Sequence, residues 1–142
     1  MLKWDENIYG VGVPELDSQH QKLFKLINDM MERFQQGERH DALSEAAVEL
    51  VGYSNEHFAY EEKFMESIGF PYLDSHKRQH AGCKKKIREY LLRLKSGKPV
   101  SYFEILAFLQ EWVENHIAQD DGRYAEYFKS NAQKKENKSA PA

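Results

Sequence analysis

Imidazole and carboxylate side chains are metal ligands, and this chain spaces them at helical intervals. His20 stands alone, His57 is followed by Glu61, His76 by His80, and His116 by Asp120 and Asp121. Residues four apart on a helix differ by about 40° around the axis and about 6 Å along it. His57 and Glu61 therefore share a face, as do His76 and His80. Two imidazoles at that spacing can hold one cation. A carboxylate beside an imidazole can bind one cation through one oxygen and reach a second through the other. The chemistry on offer is a dinuclear metal centre.

Each of these groups falls on a different predicted helix. The first starts near Asp17 or Ser18, either of which can cap it, presents Leu16, His20, Leu23, Ile27, Met30 and Phe34, and ends at Gly37. The second starts near Asp41 and presents Leu43, Ala47, Leu50, Ser54, His57, Glu61, Met65 and Ile68 before Gly69 and Pro71. The third carries Leu73, His76, His80, Cys83, Ile87, Tyr90 and Leu94, stopping before Gly97 and Pro99. In the fourth, Ser101 and Glu104 form a capping-box pattern, Val100 and Ile105 a hydrophobic staple, and the stripe runs Ile105, Leu109, Trp112, His116. Steps of three and four joined by short connections predict an all-α fold, an antiparallel up-down four-helix bundle over residues 1–130. An extended N-terminal arm covers roughly the first 16 residues, where Gly10, Gly12 and Pro14 oppose a helix while Trp4, Ile8 and Tyr9 can pack on the bundle. Residues 131–142 read as a disordered, solvated C-terminal tail.

The polar candidates lie in the apolar seam, among Leu23, Leu50, Met65, Cys83 and Trp112. Burying them unpartnered would cost roughly 2–7 kcal/mol each, and a pair of cations would satisfy them together. After His116 the stripe continues through Asp121, Tyr124 and Phe128. Five residues on an ideal helix is about 140° of rotation, so Asp120 at i+4 is the geometrically natural partner of His116, unless the step of five marks a local π-bulge that turns Asp121 inward. His40, among Glu38, Arg39 and Asp41, reads as a solvated histidine, and Cys83 as a structural seam residue.

Composition narrows the function classes. The 142 residues suffice for one domain with a real core. A net charge of −3 supplies no basic face for nucleic acid. The single cysteine excludes an internal disulfide and fits a reducing compartment. No apolar run has the length of a membrane span, and Asp5, Glu6, Glu15 and Asp17 do not suit a signal peptide. A cytoplasmic protein is the expectation. There is no zinc-protease HExxH, P-loop or dinucleotide fingerprint.

The joint pattern resembles the hemerythrin family, and within it the bacterial hemerythrins, over about residues 4 to 128. It is carried by Leu16-Asp17-Ser18-Gln19-His20, by His57-Phe58-Ala59-Tyr60-Glu61 with Met65, by Gly69 with His76 and His80, and by Trp112-Val113-Glu114-Asn115-His116-Ile117 with Asp121 and Tyr124. The resemblance implies two iron ions in a non-haem centre: His76, His80 and His116 on one, His20 and His57 on the other. Glu61 and Asp121 would bridge them with an oxo or hydroxo group. It implies reversible dioxygen binding for storage, delivery or local sensing, and not an enzyme. A di-iron peroxidase, oxidase or nitric-oxide-reducing enzyme is the alternative, and a sensor role would call for a separate protein partner. Five imidazoles to two carboxylates favour oxygen binding, because Glu-x-x-His pairs mark the carboxylate-rich oxidases. Leu23, Phe58, Trp112, Val113 and Ile117 fall within about a turn of ligand residues and are the candidate lining of an oxygen pocket. Tyr124 is a candidate hydrogen-bonding support to a carboxylate, with plain packing the other reading.

Overall fold

The computed structural model describes residues 1–38, 40–96 and 101–139, without the side chains at 41, 133 and 135–139. A short α1 (Glu6–Tyr9) leads into α2 (Pro14–Gln35), α3 (His40–Ser67) and α4 (Leu73–Lys95). A last rod joins α5 (Tyr102–Asn115), a π-helical turn (His116–Asp121) and α6 (Gly122–Ser139). There is no strand among the described residues. α2 packs on α3, α3 on α4, α4 on α5, and α5 back on α2, which closes an antiparallel up-down four-helix bundle.

Local chemistry explains where the rods begin and end. α3 stops at Gly69, whose φ of +68° is open to a residue without a Cβ. Phe70 N–H then donates to the Met65 carbonyl and Gly69 N–H to that of Glu66, a Schellman closure. Gly37 closes α2 in the same way, with Glu38 N–H on Arg33 and Gly37 N–H on Phe34. Ser101 caps α5, but it accepts from Phe103 N–H rather than from Glu104. The expected stop at Gly97 and Pro99 and the Val100 staple lie outside the described residues, as does the side chain of Asp41.

Two expectations about the N-terminal region are corrected. α2 begins at Pro14, not at a cap near Asp17 or Ser18. Proline's fixed φ and missing N–H suit the first helical position. Asp17 instead accepts from Val11 N–H at 2.8 Å and ties the arm to the bundle. The arm is not simply extended: Asp5 accepts from Asn7 N–H and opens α1. Leu2 is buried and exchanges two 2.8 Å hydrogen bonds with the Asn28 side chain. At the other end α6 carries on through Ser139, where Ala, Gln, Lys and Glu are good helix formers.

Two apolar clusters fill the interior. The larger includes Ile27 and Met30 of α2, Leu43 and Leu50 of α3, Ile87 of α4, and Leu106 and Leu109 of α5. The smaller is Val11, Leu16, Met65, Phe70 and Tyr124. Every rod passes from one cluster to the other, and between them lies a layer of polar residues.

Candidate metal centre

That layer consists of His20, His57, Glu61, His76, His80, His116 and Asp121, all buried. Heptad-like stepping puts one group of them on each rod at the same depth in the bundle. Glu61, His76, His80, His116 and Asp121 each bring a ligand atom within 4.8 Å of all the others. His20, His57 and Glu61 form a second such group. Both carboxylates face both groups. Glu61 directs Oε1 toward His80 Nε2 (3.0 Å) and His76 Nε2 (3.2 Å), and Oε2 toward His20 Nε2 (3.0 Å) and His57 Nε2 (3.3 Å). Asp121 directs Oδ1 toward His76 Nε2 (3.0 Å) and His116 Nε2 (3.1 Å), and Oδ2 toward His20 Nε2 (3.2 Å).

The outer ring nitrogens set the tautomers. His57 Nδ1–H donates to Gln19 Oε1 at 2.7 Å, and His80 Nδ1–H to Glu62 Oε2 at 2.8 Å. His116 Nδ1 lies 3.3 Å from Asp120 Oδ2, an ion-pair contact rather than an aligned hydrogen bond. A proton committed outward leaves the Nε2 lone pair pointing inward. The Nε2 atoms of His80 and His116 are only 3.1 Å apart. Both oxygens of Asp121 lack an aligned donor. Converging lone pairs and orphaned carboxylate oxygens are what a pair of cations would satisfy, so the donor set fits two metal ions.

Without metal, protons stand in for them. Burial alone would push His20 down, but the close carboxylate of Asp121 and the hydrogen-bonded carboxylate of Glu61 overcome it and raise the ring to about 9. The same contest raises His76 to about 8. In His116, burial is outweighed first by the charge of Asp121, then by Asp120, to reach about 12. Burial would lift Glu61, yet the surrounding imidazoles hold it well below its ordinary value. His116 is 3.9 Å from Glu61 and acts there by charge rather than through a hydrogen bond. Asp121 is likewise lowered, chiefly by His116, against burial and the neighbouring charge of Glu61.

The π-helical turn is where the step of five predicted it. One extra residue per turn rotates Asp121 into the layer, fully buried, while Asp120 stays at the rim. Asp120, four residues after His116, still meets that ring, but on its outer nitrogen. Around the layer, Phe58 lies flat on His80 (centroids 4.1 Å apart, planes at 15°) and Trp112 flat on His116 (4.3 Å, 15°). Leu23, Val113 and Ile117 are buried in the same cluster as Phe58, with Trp112 half-buried against it. Tyr124 is fully buried and its hydroxyl donates to Glu61 Oε2 at 3.0 Å. His40 is exposed, yet its Nδ1 is 3.0 Å from the Tyr102 hydroxyl, so it is not merely solvated. Sequence reasoning passed over Gln19 and Glu62 as partners of the rings. Each is chain neighbour to a residue of the layer, and that adjacency was the available signal.

Comparison with known proteins agrees with this geometry. Residues 11–128 match the model of the hemerythrin HHE cation binding domain. The chain is 34% identical over 130 residues to a bacteriohemerythrin of Stenotrophomonas maltophilia (strain R551-3), covering 92% of this chain and 83% of the relative. It is 33% identical over 122 residues to a myohemerythrin of Theromyzon tessulatum, covering 86% and 89%. A crystal structure of wild-type hemerythrin shares the fold with a TM-score of 0.83 at 22% identity, over 89% of this chain and 96% of the other.

Proposed function

The chain belongs to the hemerythrin family, and on that premise we propose that it binds dioxygen reversibly at a non-haem di-iron centre. The observation that carries the reading is the buried layer in which five imidazoles and two carboxylates converge, with both Asp121 oxygens short of an aligned donor. His76, His80 and His116 would hold one iron, and His20 and His57 the other. Glu61 and Asp121 would lie between both, together with an oxo or hydroxo group. Two irons held there supply reversible two-electron exchange with dioxygen.

The remaining work falls to the protein. Gln19 and Glu62 orient His57 and His80 from outside, and Asp120 does so for His116 by charge. The two-histidine group carries one imidazole fewer, which leaves room there for a small ligand. Phe58, Trp112, Leu23, Val113 and Ile117 exclude water and stray protons from the layer. Tyr124 donates a hydrogen bond to Glu61 and steadies the bridging carboxylate. Residues 1–130 carry every one of these groups and would form the functional domain, with 131–142 as an appendage. A cytoplasmic location fits the single, buried thiol, and no helix among the described residues is long and apolar enough to cross a membrane. The net charge of −3 offers nucleic acid no basic face.

Anaerobically reduced, iron-loaded protein should gain a visible absorption band on exposure to oxygen and lose it when oxygen is removed. Irreversible conversion to a ferric protein that turns over peroxide would replace this reading with a di-iron enzyme.

A further inference from the structure

A cavity of about 140 Å³ lies among α3, α4 and α5, next to the polar layer but outside it. Its inner wall is Leu50, Phe58, Cys83, Ile87 and Leu109, all buried. Asn55 and Arg88, both exposed, mark its mouth, with half-buried Lys84 beside them. Ser54 also lines it, but its hydroxyl donates to the Leu50 carbonyl at 2.8 Å and is spent within the helix. Burial pushes the Cys83 thiol up to about 12, so it stays neutral. The interior wall therefore carries no charge and little free hydrogen-bonding capacity.

A buried water needs about 2–4 polar partners, whereas an apolar cavity of ~150 Å³ stays dry and accepts benzene or xenon. The cavity here has about that size, and its inner wall has that lining, with the polar groups confined to its mouth and to Ser54. Phe58 connects it to the metal layer: the ring that bounds the cavity also lies flat on His80, 4.1 Å away. Dioxygen is small and apolar, and such molecules partition from water into apolar surroundings.

We propose that this cavity is a binding site for a small apolar gas, and that in the working protein it holds dioxygen behind Phe58 on its way to the metal layer. The first clause stands on the cavity alone, and the second rests on the oxygen-binding reading above.

Xenon is the probe. Crystals of the iron-loaded protein pressurised with xenon should show one atom bounded by Leu50, Phe58, Ile87 and Leu109. The variant Ser54→Phe, which fills the cavity from its rim, should exclude xenon and slow oxygen association several-fold while iron content is unchanged. Xenon-saturated wild type should show the same slowing in solution, which covers the case in which the variant does not fold. An empty or water-filled cavity under xenon overturns the whole proposal, whatever the protein does with oxygen. Bound xenon with an unchanged oxygen association rate overturns the holding role. If xenon fills the cavity but reduced protein takes up no oxygen, the oxygen-binding reading falls and the gas site remains.

Discussion

The large apolar cluster and the polar layer are built from one stripe on the same helices, yet they are stabilised in different ways. Ile27, Met30 and Leu106 are almost wholly removed from water and need nothing but one another. Glu61, Asp121 and His20 are equally buried, but their polar atoms face one another, with His20 Nε2 3.0 Å from Glu61 and 3.2 Å from Asp121. Helical periodicity decides which side chains go inside. Only their chemistry decides whether the inside is complete without a guest.

Truncating one residue in each region separates these two kinds of burial. Glu61→Ala removes the carboxylate that faces both histidine groups and leaves the imidazoles short of their counter-charge. Breaking a buried ion pair in this way costs about 3–5 kcal/mol, and the variant should retain no iron by metal analysis. Leu106→Ala should cost a comparable ~2–5 kcal/mol through the cavity it opens, yet keep two irons per chain. If Leu106→Ala emptied the site as completely, the layer would depend on global packing and the contrast between the regions would dissolve.

Much of this contrast was legible in the sequence because periodicity is a global signal. The stripes located all four rods, and a polar residue in a stripe stands out against its apolar neighbours. Even the π-helical turn left a trace, since Asp121 and Tyr124 continue the stripe only if one residue is inserted after His116. Contacts that depend on how rods are rotated left none. Glu62 reaches His80 across from α3 to α4, and Gln19 reaches His57 from α2 to α3. Both side chains sit beside the stripe rather than on it, where a polar residue is unremarkable. The start of α2 was misplaced for a local reason: proline breaks a helix interior but suits its first turn.

Titration distinguishes the regions with a smaller effect. In the metal-free protein His76 is raised to about 8 and His20 to about 9, against about 6.5 for an unfolded histidine. The folded form thus binds these protons more tightly. Their stabilisation is full below about pH 6.5 and is lost as pH rises through 8 to 9, on the order of 2 kcal/mol per histidine. Glu61 and Asp121 are lowered, so their contribution is present above about pH 4 and is lost on acidification. The metal-free protein should therefore be most stable near pH 5 to 6.5 and decline between about pH 6.5 and 9. Metal displaces those protons, so the alkaline decline should vanish in loaded protein while metal affinity rises with pH. Thermal melts across pH, with and without chelator, measure this. An equal alkaline decline in both forms would place the titration outside the layer.

Tyr124 belongs to both descriptions, which makes its substitution the finest test. It is packed in the small apolar cluster with Leu16 and Met65, and it also donates to Glu61 Oε2. Tyr124→Phe keeps the ring and deletes the donor to a charged carboxylate, at a cost of about 1.5–3 kcal/mol. The oxygen it leaves is the one turned toward His20 and His57. Weakening should therefore appear at the two-histidine group first, as one metal yielding to a chelator faster than the other. Equal release of both metals at the wild-type rate would make the hydroxyl irrelevant to the layer. The residue would then belong to the apolar region alone, and the boundary between the two regions would run between its ring and Glu61.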